Sequence, residues 1–281
     1  MDLGDEEFMR TLTEMREKTR RVEARKLLGR ARERIGQVGK RLDAVEIAPK
    51  GVMAAVDRRF VSTQTFLPST MVRTQLRLAI HYVQAADAAG FPTRRSQPPT
   101  LSSFVVLRTA IECTASAHWL MSAKNQRETI ERVLKRMWWD TTSAADMANT
   151  ADGARDTSSL IELKARISEI TRPVKGLDSA KVFESERVKL SRIVANASAD
   201  LRPSDPTIMH AGWMMCAGIA HGNIPVSAGA GISVASLQQP SQHLIDDTAY
   251  ALVLSAVIED ILAAVQLFER RAAEQHEEQV S

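Results

Sequence analysis

Cysteine, aromatic residues and charge of either sign along one long stretch are what this chain has least of. Two cysteines, Cys113 and Cys216, occur in 281 residues. They form no CxxC pair and lie inside apolar helical patterns, which excludes a disulfide framework or a thiolate zinc site and reads as two buried thiols in a reducing compartment. Aromatic residues make up 5% of the chain, while Ala, Leu, Met and Arg recur, a balance that favours helix. No Asp, Glu, Lys or Arg occurs between Pro206 and Gln242. The N-terminus, MDLGDEEFMR, has no apolar signal region, and the apolar run near 248–258 stops at Glu259 and Asp260. A cytoplasmic chain without a membrane span is therefore expected.

The basic residues are concentrated. Residues 16–41 hold eleven Arg or Lys against Glu17, Glu23 and Glu33, a net +8 in a chain whose total is +3, which leaves the rest at −5. Residues 5–46 read as one long helix, its second half carrying Leu28, Ala31, Ile35, Val38, Leu42 and Val45 at heptad-like spacing after a phase shift near Ala24. Three roles suit it: a solvated helix on the main body, a dimerisation arm, or a basic surface for nucleic acid. In the last role Arg20, Arg21, Arg25, Lys26, Arg30, Arg32 and Arg34 would touch phosphates, since aromatic residues for base stacking are missing there.

The rest predicts an all-α helical bundle. The division is a basic N-terminal helix over 1–48, a connection over 49–69 in which RRFVSTQTFL is a short extended piece, a bundle over 70–275, and a tail over 276–281. Helices are predicted near 69–89, 101–122, 126–149 with a capping box from Asn125 and Glu128, 157–171, 180–199, Pro206 to Gly222 with Asp205 as cap, and 241–273. Residues 91–100 read as a linker and 223–240 as extended or looped chain.

Two of these helices carry the polar residues of interest. Between Pro98 and Ala123 the only charges are Arg108 and Glu112, four apart and able to pair on a helix expected to be buried on nearly all sides. The helix ending at Gly222 is expected to be central as well and contains His210, Cys216 and His221. His210 and His221 are too far apart along the axis to share a metal, and no HExxH, CxxC or carboxylate pair adds ligands, so neither metal nor cofactor is expected. The glycines of SAGAGISV lack the lysine of a phosphate loop, and no GxSxG elbow is present. His118 reads as a core histidine facing helix 126–149. His221, in the last turn, suits the helix C-terminal dipole and is also placed for proton transfer.

The stretches LRTAIECTASAHWLM, RETIERVLKRMWW and WMMCAGIAHGN resemble a family of bacterial helical proteins and, beyond it, the HEPN-like superfamily of helical bundles. The likeness runs from Leu101 to the C-terminus, with a gap through the middle helices. It implies a homo-oligomer and one of two activities: a non-catalytic interaction or RNA-associated module, or a metal-independent ribonuclease of toxin or antiviral type. That family's motif is Arg, four to six residues, then His. With His221 as the histidine, the arginine positions hold Met214, Met215 and Cys216. Arg108, oriented by Glu112, would have to supply the guanidinium from another helix. A purely structural dimer module is the third reading.

Overall fold

The structure is a computed structural model that describes residues 3–61, 63, 65–90, 101–152, 158–222 and 247–274, with side chains in the first helix from Val22 onward. Among these residues every secondary-structure element is an α-helix. The elements are α1 (Leu3–Asp43), α2 (Val52–Val61), α3 (Pro68–Gly90), α4 (Leu101–Met121), α5 (Gln126–Asp152), α6 (Ser158–Thr171), α7 (Ser179–Phe183), α8 (Leu190–Leu201), α9 (Ile208–Ala220) and α10 (Asp247–Ala273).

From Ala24 the first helix is built into the core. Ala24, Leu28, Ala31, Ile35, Val38, Leu42 and Val45 alternate in steps of four and three, and all are buried. That seam packs on α10 and α3. Ion pairs set the directions. Arg34 meets Glu259 and Arg41 meets Glu269, so α1 and α10 run parallel. Arg32 meets Asp87 and Asp43 meets Arg77, so α1 and α3 run antiparallel. Arg73 of α3 closes the end of the seam. It donates from Nη1 to the Leu42 carbonyl at 2.8 Å, which also accepts from the Val45 amide, and from Nη2 to the Val45 carbonyl at 2.6 Å just past the helix end.

The helix α4 lies against α3, α8, α9 and α10, which makes it the middle of the bundle. Its buried residues include Phe104, Leu107, Ala110, Ile111, Ala115 and Ala117. The length and composition of Thr248–Ala273 would let it cross a membrane, and half of that apolar window is buried inside the bundle.

The expected capping of α5 is present with one change. Asn125 Oδ1 accepts from the Glu128 amide at 2.9 Å, while the Glu128 carboxylate accepts from the amide of Lys124, one residue before the cap. Three expectations fail. The stretch beginning RRFV is not extended: α2 covers Val52–Val61, because Val56 and Phe60 form a buried one-turn repeat and buried Asp57 accepts from Ser69 N at 3.0 Å and Ser69 Oγ at 2.6 Å. The helix foreseen over 180–199 is two, α7 and α8. Trp138 Nε1 donates to the Phe183 carbonyl and Trp139 Nε1 to the Ser185 carbonyl, which holds the chain off the helical path between them. Finally, α9 begins at Ile208 with Thr207 as N-cap, so Pro206 precedes the helix and Asp205 gives only its backbone carbonyl, to the Ile208 amide. Residues 91–100 and 223–246, read as linker, looped chain and helix start, lie outside the described residues.

Candidate functional site

The helices α4 and α9 bring the singled-out polar side chains together at one edge of the bundle. Arg108 Nε donates to Glu112 Oε1 at 2.8 Å. Arg108 Nη1 lies 3.3 Å from His221 Nε2. Glu112 Oε1 also accepts from Trp213 Nε1 at 2.9 Å. The guanidinium carbon sits 5.5 Å from the Trp213 ring centre, and His210 stacks on that indole with ring centres 6.1 Å apart and planes 11° from parallel. His210, Trp213, Arg108 and His221 thus form a ladder, and Glu112 ties its two middle members.

Two sequence expectations change here. The Arg108–Glu112 pair is not sealed in the core, since the side chains keep 25% and 23% of their exposure. Nor is α9 buried throughout: Met209, Cys216 and Ile219 face inward, but Met214 is 56% exposed and His221 is on the surface. Trp213 is the member that sequence reasoning missed. Its signal was faint, a lone indole in a helix without charges.

The helix stop at His221 is made by backbone. The His221 amide donates to the Ala217 carbonyl, the Gly222 amide to the Ile219 carbonyl, and Gly222 has φ 68°, a left-handed position that suits glycine. The imidazole is left for Arg108. A guanidinium has donors and no acceptor, so a hydrogen bond across this contact requires Nε2 to accept, which is the Nδ1–H tautomer. Of the guanidinium's N–H groups, Nε–H serves Glu112 and one on Nη1 serves His221. Among the described residues the Nη2 pair and the other Nη1 N–H have no hydrogen-bond acceptor, which leaves donors suited to the oxygens of an oxyanion.

Both cysteines are chemically quiet. Burial pushes the Cys216 thiol up to about 12, against the opposing pull of Arg108, and the Cys113 thiol up to about 11. His118 is buried, and its Nε2 lies 3.2 Å from Asp200 Oδ2 of α8; burial lowers its pKa, Asp200 opposes that, and Arg132 of α5 adds to the lowering. Among the described residues no group of three His, Cys, Asp or Glu could hold a metal ion.

The basic residues of α1 divide into two sets. Arg32 is paired with Asp87 at 2.7 Å and Arg34 with Glu259 at 2.5 Å, so both fasten the helix to the bundle. Arg25, Lys26 and Arg30 are exposed and make no ion pair among the described residues. The side chains of Arg20 and Arg21 lie outside the described residues.

No family model matches the chain, and neither the curated proteins nor the solved structures compared with it contain a match.

Proposed function

We propose that this chain is a HEPN-like, RNA-associated module that holds a phosphodiester on Arg108 and His221 without cleaving it. The observation that carries this reading is the orientation of the Arg108–His221 contact. A ribonuclease base needs a free lone pair within reach of a ribose hydroxyl. The His221 nitrogen that meets Arg108, Nε2, is engaged at 3.3 Å, and Arg108 itself has only N–H donors to offer. Donors without a base suit binding of an oxyanion. Glu112 and Trp213 fix the fork, which lowers the cost of ordering it when an anion arrives. Arg25, Lys26 and Arg30 add a sequence-independent attraction for the backbone.

The test is a titration of a labelled single-stranded RNA in EDTA at two salt concentrations, with gel analysis of the same samples. Arg108→Ala and His221→Ala are each expected to weaken binding about tenfold, the scale of one charge-assisted hydrogen bond, with the RNA intact throughout. The triple change Arg25→Ala, Lys26→Ala, Arg30→Ala is expected to flatten the salt dependence. Unchanged binding in both single variants overturns the reading. Cleavage by the wild type that His221→Ala abolishes replaces it with the ribonuclease reading, in which Arg108 swings off the ring to free Nε2.

A further inference from the structure

The last turn of α8 is a hub with one polar link to each of three helices. Ser198 Oγ accepts from the His210 amide at the start of α9. Asp200 meets His118 of α4, and Arg202 meets Asp260 of α10. The third link is anomalous. Asp260 is 1% exposed, and neither of its carboxylate oxygens accepts a hydrogen bond among the described residues. Arg202 Nε stands 3.7 Å from Oδ1, too far for a hydrogen bond. A carboxylate in such a place costs far more as an anion than as an acid. The charges acting on it are Arg202 from the end of α8, Asp205 from the turn before α9, and Glu259 beside it on α10. Two of the three are acidic and oppose its ionisation. Burial is the largest effect and raises its pKa to about 7.

We infer that Asp260 is a proton-operated latch that holds the α8–α9 turn, residues 202–207, against α10 while it is protonated and loosens that turn when it ionises. An ionised Asp260 needs water: Arg202 stands beyond hydrogen-bond reach and is opposed by Glu259 and Asp205, and admitting water to so buried a carboxylate requires the turn that carries Arg202 and Asp205 to move. That turn leads directly into His210 and Trp213. On the RNA-binding reading the latch would therefore regulate the α4–α9 site, but the latch itself does not depend on that reading.

Its test uses no RNA, so it fails or succeeds separately. Amide exchange of residues 202–211 is followed in the full chain at about pH 5.5 and pH 8, corrected for the chemical exchange rate. The wild type is expected to open about tenfold more at the higher pH, because a group one pH unit above its midpoint has shifted its equilibrium by that factor. Asp260→Asn, of equal shape and without charge, is expected to show no such rise. Arg202→Gln is expected to move the change to higher pH, since it removes the charge that favours the anion. Equal pH responses in wild type and Asp260→Asn overturn the proposal. So does carboxyl carbon resonance in the wild type that places Asp260 in the ordinary range near 4, a measurement that does not depend on any variant folding.

Discussion

Arg108 and His221 are 113 residues apart in sequence and 3.3 Å apart in space. A hydrogen bond across that contact requires the His221 ring proton to sit on Nδ1. Nitrogen resonance of labelled histidine is expected to show His221 as the Nδ1–H tautomer, with Nε2 the acceptor. In Arg108→Ala the ring is expected to revert to the mixture of an exposed imidazole. Finding His221 in the Nε2–H form in the wild type would remove the argument for a donor-only site.

Glu112 is expected to matter more than Arg108 for stability. Its Oε1 serves two donors, Arg108 Nε and Trp213 Nε1. Glu112→Ala strands an indole N–H and frees a half-buried guanidinium together, at a cost of about 1–3 kcal/mol. Arg108→Ala leaves Glu112 still bound to Trp213 and partly reached by water, so its cost is expected to be about 1 kcal/mol or less. Urea unfolding of the two variants gives the order directly. The reverse order would mean that the indole link contributes little.

Arg73 offers a test of how α1 is fastened. Its guanidinium donates to two carbonyls at the end of the seam and lies over the Phe268 ring at 5.4 Å. Arg73→Ala is expected to destabilise the chain by about 2–4 kcal/mol. Arg73→Lys is expected to recover less than half of that, because a single ammonium does not reproduce a planar fork to two acceptors. Thermal unfolding of both variants, followed by far-ultraviolet circular dichroism, checks the pair.

What could be read from the sequence was local. The steps from Leu28 to Val45 made a buried seam legible, because a heptad repeat is a property of consecutive residues. The helices α4 and α5 were legible through their apolar content and the Asn125 cap. The break between α7 and α8 was not. It depends on indoles 45 and 46 residues earlier in the chain, which take the carbonyls of Phe183 and Ser185. The site was half legible. Arg108, Glu112 and His221 stood out as rare polar residues on apolar helices, but their meeting depends on how α4 packs on α9, and Trp213 gave no warning of its role. The basic helix misleads by composition in the same way, since Arg32 and Arg34 are spent on Asp87 and Glu259.

Thiol chemistry gives an independent check on packing. Cys216 is fully buried, and burial holds its thiol near 12 and that of Cys113 near 11. Nucleophilic attack needs the thiolate and access together. Iodoacetamide at about pH 7.5 is expected to leave both unmodified in the native chain and to modify both in guanidinium chloride. Rapid native labelling of Cys216 would mean that α9 leaves α4 far more often than its packing implies.

Asp260 also makes a pH-dependent stability difference whose sign can be worked out. Burial raises its folded pKa to about 7, while the unfolded chain keeps an ordinary value near 4. The folded state therefore binds the proton more tightly. Its advantage is fully present below about pH 4, falls as pH rises through the interval, and is gone above about 7. Stability of the wild type relative to Asp260→Asn is expected to drop by on the order of 3 kcal/mol between about pH 4 and pH 8. The fixed cost of burying an asparagine amide is the same at every pH and cancels from that difference. His118 is present in both chains, so its opposite slope cancels too. Guanidinium unfolding of the pair across this range measures the drop, and parallel stability curves would show that Asp260 is solvated in the folded protein.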